Sequence, residues 1–383
     1  MADQLIAGHM THIRDVILAT TDRQVRSIVL TGGFGRGEGG VTYIAGAPRP
    51  VNDYDLLVVS RRDGFIARLL LRRRLKAIEP ALTAALGIRA DITVKTPSML
   101  RNAPPTVEAY EMAAGHRIIW GDASVMGLMP ARSPEMLDSA EASRYLFNRG
   151  AALLWARRFI EALPAPDEAR WQFILIALTK AWLAWGDALL ILHGRYTAQY
   201  SERAGRLAGL PLPENLSFLP DLYRQGLEFK LRPDFERYRR LDIHQALEQT
   251  IVRHETVWHW VETYRGTAAG AGDAFWLDYY RRPGWRIRAA SGPVALRHRL
   301  ENFVLNLWRV RPLTFQWIFQ HPEERLARLL PLLLFIPQHP DLPWREVSAL
   351  LGVWPATAAV SALSDRFLTI WHPGNPLVEM KGA

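Results

Sequence analysis

The chain has 383 residues, a formal net charge of +9 and 49% apolar residues, enough to bury the cores of two domains and too apolar for general disorder. Cysteine is absent, which excludes disulfides, thiol nucleophiles and cysteine-held metals and fits a reducing compartment. The 47 basic residues, mostly arginine, suit an anionic ligand (nucleotide, phosphorylated sugar, lipid surface or nucleic acid), or else they only mark an Arg- and Ala-rich composition.

Residues 1–15 lack the apolar core of a signal peptide, and 3–20 carry Leu5, Ile6, Met10, Ile13, Val16 and Ile17 at helical spacing. Ser27 to Leu30 reads as a buried strand that breaks at Gly32 and Gly33, where backbone amides are free to face a phosphate and Arg36 adds a positive charge. Residues 42–50, with Gly46, Pro48 and Pro50, read as an inserted loop, either a surface excursion or part of a substrate pocket. Asp53 and Asp55 open the next apolar run two positions apart, so on a strand both point to one face and Tyr54 to the other. Clustered carboxylates call for a neutralising hard cation, Mg²⁺ being the natural choice beside substrate phosphates. A helix is expected over Phe65–Leu86, where Arg72, Arg73 and Arg74 sweep about 200° and therefore form a solvated face with Arg68 and Lys76. Asp91 then falls within a strand-like run, 88–94.

A phosphate cradle, paired aspartates and a third aspartate on a later strand describe in-line nucleotidyl transfer. On Gly32, Gly33, Arg36, Gly37, Glu38, Asp53, Asp55 and Asp91 the chain resembles the nucleotidyltransferase superfamily that includes DNA polymerase β, in its minimal and small-molecule branches. The likeness spans about residues 20 to 125, with 110–122 as the closing helix, turn and strand; the gap from Gly33 to Asp53 is longer than the family's usual one. It implies an α+β fold, a mixed sheet flanked by helices followed by a mostly helical region. It also implies a nucleoside triphosphate on Gly32, Gly33, Arg36 and Glu38, and two Mg²⁺ ions on Asp53, Asp55 and Asp91.

The division expected is a catalytic domain over 1–130, a helical domain over 131–266 and a Trp/Arg-rich helical subdomain over 267–383. Helices are expected over 138–163, interrupted by the polar Asn148 and Arg149, and over 171–193, where Lys180 and Asp187 share a face. In relatives a helical domain closes over the nucleotide and supplies a basic residue; Lys180 is the candidate by that resemblance, or else a buried lysine paired with a carboxylate. Tyr196, Tyr200 and Arg203 are candidates for the same cleft, 205–235 reads as a loop-rich connection, and 237–265 as a helix. His254 and His259 are five apart, one too many for a helical zinc pair, and read as structural. Residues 267–272 read as a hinge. Beyond them Trp276, Tyr279, Tyr280, Trp285, Trp308, Trp317, Trp344, Trp354 and Trp371 interleave with arginines, which fits an aromatic core with an arginine exterior or an acceptor surface. The densest apolar run, 329–336, is too short to span a bilayer.

The expectation is therefore a cytoplasmic, Mg²⁺-dependent enzyme that moves a nucleoside monophosphate, AMP from ATP in the first instance, onto a hydroxyl of a small molecule, sugar or lipid. A protein-modifying nucleotidyltransferase, a template-free polymerase and a non-catalytic nucleotide- or nucleic-acid-binding module are the alternatives, nucleic acid being the less favoured partner.

Overall fold

In the two apolar runs that carry the glycine and aspartate motifs, nearly every residue is buried, the pattern of strands covered on both faces. They form β1 (Val25–Leu30) and β4 (Tyr54–Ser60), the central strands of a four-stranded sheet. In the computed structural model, which describes residues 2–21, 23–44, 46–51, 53–163, 165–281, 322–339, 342–353 and 359–372, the edges are β5 (Ala90–Lys95) beside β4 and β6 (Arg117–Gly121) beside β1. β4 and β5 run parallel, while β1 is antiparallel to both of its neighbours, so the sheet is mixed and the fold is α+β.

The two-residue period assigns the layers. Ile28, Leu30, Leu56, Val58, Ile92 and Val94 pack against α1 (Ala2–Thr21) and α3 (Phe65–Leu86) through Ile13, Ile17, Leu71 and Leu75. Val29, Leu57 and Val59 face the other way, onto Leu100 of α4 (Pro97–Arg101) and Ala109 and Met112 of α5 (Val107–Ala114). α3 stops at Gly87, whose left-handed backbone ends the helix at little steric cost.

Two elements differ from expectation. Residues 42–50 are not a loop: β2 (Val41–Ile44) and β3 (Ala47–Pro50) form an antiparallel hairpin, with Pro48 opposite Tyr43 and Pro50 opposite Val41. Residues 205–235 are mostly helical, containing the end of α8 (Tyr200–Ala208) and all of α9 (Leu219–Leu231).

By contacts the chain divides into two units that interleave along the sequence. One comprises Met1–Asp138, His193–Leu210 and Arg224–Arg239; the other comprises Ser139–Leu192, Pro211–Tyr223 and Arg240–Ala383. The second is built on α6 (Ala140–Ala162), α7 (Glu168–Leu192) and α10 (Ile243–Tyr264), which pack on one another. α10 begins later than expected because the Asp242 side chain accepts hydrogen bonds from the amides of His244 and Gln245, each at 3.1 Å, and so caps it there. α7 is long and apolar enough to cross a membrane, but 89% of its apolar window is buried in the structure. Trp276, Tyr279 and Tyr280, on α11 (Gly272–Arg281), are buried, as an aromatic core requires; Trp285, Trp308, Trp317 and Trp354 lie outside the described residues.

Candidate active site

The antiparallel pairing of β1 with β4 brings the end of one strand to the start of the other, and the glycine and aspartate motifs meet there. Thr31 fixes the junction: its amide and its hydroxyl both donate to the Asp55 carbonyl oxygen, at 2.8 and 3.1 Å. The chain then makes one helical turn, Gly32–Gly35, with Gly32 at φ +62°. A Cβ on Gly32 would lie 1.9 Å from Asp55 Oδ2, so both the backbone angle and the close carboxylate demand glycine. A Cβ on Gly33 would meet nothing nearer than 3.5 Å. The amides of Gly32, Gly33 and Phe34 are the first-turn donors that a helical turn leaves without an internal acceptor.

Asp55 and Asp91 are direct register partners on the parallel pair β4 and β5. Asp53 lies two residues before Asp55 and is exposed. Burial, the neighbouring Asp53 and the neighbouring Asp91 push the Asp55 carboxyl up to about 6, against the pull of Lys230 and Arg36. Three carboxylates therefore act on one another, though not equally free: Asp91 Oδ1 accepts from Lys76 Nζ at 2.9 Å. Of the helix expected to be a solvated basic face, Lys76 turns back to the site.

Arg36 and Glu38 do not stand open beside the turn. Arg36 is buried and donates to Glu111 Oε2 at 3.0 Å, with Glu38 Oε2 3.7 Å from its Nε, and that Nε has no hydrogen-bond partner among the described residues. Glu38 accepts from the amides of Tyr200 and Ser201, at 3.0 and 3.1 Å, capping the start of α8. Glu111 also receives the Tyr196 hydroxyl and Arg203 Nη2, each at 2.5 Å. Burial raises the Glu111 carboxyl, but Arg203, Arg36 and the Tyr196 hydroxyl outweigh it and hold the group below its ordinary value. The Tyr200 ring carries Arg203 at 3.8 Å, Arg36 at 5.6 Å and Lys230 Nζ at 5.7 Å from its centroid.

Tyr196, Tyr200 and Arg203 surround Arg36 and Glu111, and with Lys230 they belong to the first unit rather than to the one that carries Lys180. Lys230 and Glu111 are additions. Lys230 Nζ lies 3.7 Å from where a Gly33 Cβ would be. Lys180 belongs to the second unit, half-buried on α7; Asp187, on the same helix, accepts from the Tyr223 hydroxyl at 2.8 Å. His254 is fully buried, accepts from Trp185 Nε1 at 2.8 Å, and is pushed by burial down to about 3, which makes it structural.

Among the described residues no three His, Asp or Glu side chains gather into a self-sufficient metal cage. The donor set nevertheless fits a hard cation held in the Mg²⁺ manner, by one or two carboxylates with remaining ligands from outside the protein. What favours it is the placement of Asp55, in register with Asp91 and two residues from Asp53, where burial and two like charges push its carboxyl up to about 6.

No family model matches the chain, and no curated protein matches it. Among solved structures, spectinomycin adenyltransferase AAD(9) from Enterococcus faecialis, crystallised with ATP and spectinomycin, is similar over 65% of this chain and 98% of that one, at 10% identity and a TM-score of 0.37. That likeness is too distant to assign any residue here, so the functional reading rests on the geometry.

Proposed function

We propose that the protein is a nucleotidyltransferase, transferring AMP from ATP to a hydroxyl of a small-molecule, sugar or lipid acceptor and releasing pyrophosphate. The observation that carries this reading is the meeting of a left-handed Gly32 with the Asp55 carboxylate, itself in register with Asp91 and flanked by Asp53.

The first-turn amides at Gly32 and Gly33 bind phosphate oxygens, and the absence of side chains there lets the phosphates approach the backbone. Lys230, beside Gly33, neutralises the triphosphate. Asp53 and Asp55 would hold Mg²⁺, which would supply charge neutralisation for the transferred phosphoryl group. Asp91, steadied by Lys76 on one oxygen, accepts the proton of the acceptor hydroxyl; that oxygen bonds to the α-phosphorus as the bond to the bridging oxygen breaks and pyrophosphate departs. Arg36 and Glu38 support the turn through Glu111 and α8, and Lys180 is assigned to the triphosphate on resemblance alone.

The test is incubation with α-labelled ATP, Mg²⁺ and a metabolite extract. One added AMP on a small molecule with stoichiometric pyrophosphate supports the reading; label confined to protein substitutes protein modification for it, and no label in any product refutes transfer.

A further inference from the structure

The first turns of α3 are apolar on the wrong side. The face buried in the sheet layer is that of Leu71, Leu75 and Leu82, yet Phe65, Ile66, Leu69 and Leu70 are 58%, 71%, 49% and 54% exposed. At 100° per residue these four fall within an arc of about 140° that excludes the buried face, so the fold has no use for them. Exposed aliphatic residues scattered singly need no explanation, but four on one stripe mark an interaction surface.

Arginines border the stripe. Arg62, Arg72, Arg73 and Arg74 form no ion pair among the described residues, and Arg68 lies over the Phe65 ring at 5.7 Å. Beside the stripe is a cleft of about 530 Å³ with Arg23, Arg61, Arg62 and Arg74 around an apolar floor of Leu70 and Leu71. Arg23 is held there at φ +58°, the only non-glycine residue with positive φ among the described residues. Since Val25 pairs with Ser60 and Leu30 with Leu56, the cleft lies at the end of the sheet away from Gly32 and Asp55, roughly 20 Å along the strands.

We propose that this face docks on an anionic phospholipid bilayer, with the apolar stripe entering the interface and the arginines meeting lipid phosphates, one of them in the cleft. An outward apolar arc edged by arginine is the pattern of a helix lying in a membrane surface. A second copy of the chain would bring the same positive charge against it, and an RNA backbone would match the arginines but leave Ile66, Leu69 and Leu70 in water.

The test is flotation of the full chain with vesicles of phosphatidylcholine alone or with roughly one-third phosphatidylglycerol. Wild type floats with the anionic vesicles only, and both Ile66→Glu/Leu70→Glu and Arg62→Gln/Arg74→Gln reduce binding about tenfold or more while melting as wild type does. These positions are exposed, so each pair reads the surface independently of the fold. Failure to float with anionic vesicles overturns the proposal, as does equal binding to neutral ones or undiminished binding by both variants. Capture of an acidic protein or an RNA without flotation also overturns it and reassigns the face.

Discussion

Among single residues, Asp55 is the one on which the proposed site depends most. A carboxyl whose folded pKa of about 6 lies above its unfolded value binds more protons in the folded chain between about pH 4 and 6. Stability of the ligand-free protein therefore falls as pH rises through that window and stays lower above it. Asp55→Asn removes the effect and stabilises the ligand-free protein near pH 8 by on the order of 2 kcal/mol relative to wild type. Urea denaturation of both proteins at about pH 4 and about pH 8 checks this, and parallel pH dependence would dismiss the like-charge cluster. The two glycines should separate. Gly33→Ala folds normally, having space for a methyl group, and weakens ATP binding about tenfold by obstructing the phosphates; Gly32→Ala destabilises the fold by driving a methyl into Asp55. Thermal melts and ATP titrations of the two variants distinguish these effects.

The elements show why some of this could be read from the sequence and some could not. The period of a strand sets Asp55 on the face opposite Tyr54, with Asp53 just before β4, and Gly32-Gly33 ends a run too apolar to be anything but buried, so that half of the site was legible. Lys230 was not, because 205–235 read as a loop-rich connection, and one lysine there looks like any solvated charge until α9 is placed. The β2–β3 hairpin was hidden by Pro48 and Pro50, which argue against a central strand but are tolerated in a two-stranded ribbon. Glu38 matched a motif, yet its carboxylate caps α8, a helix about 160 residues further on. Glu38→Ala should cost about 1 kcal/mol and speed amide exchange at Tyr200 and Ser201. Retained turnover in that variant would remove Glu38 from any catalytic role. Glu111 is a stronger support: Glu111→Gln leaves Arg203 and Arg36 without their shared counter-charge and should cost about 3 kcal/mol in a thermal melt.

In the whole molecule, the boundary expected near 130 follows the change to helical patterns and the one near 266 the small residues of 267–272, whereas contacts divide the chain by what packs together. His193–Leu210 and Arg224–Arg239 return to the sheet-bearing unit because Glu111 and Glu38 receive Tyr196, Arg203 and the start of α8, and because Lys230 reaches the glycine turn. Long-range ion pairs of this kind leave no local period in a sequence. The helical pattern of the second unit was legible from its apolar spacing, and the structural reading of His254 agrees with its full burial. The central claim is that the aspartates exist to hold a cation beneath a nucleotide. Calorimetric titration of ATP, GTP, CTP and UTP, with and without Mg²⁺, into wild type and Asp53→Asn/Asp55→Asn addresses it directly. A nucleotide, ATP first, is expected to bind wild type only with Mg²⁺, and the double variant to lose this binding; binding unchanged by the double substitution, or no nucleotide binding at all, would contradict the proposed function.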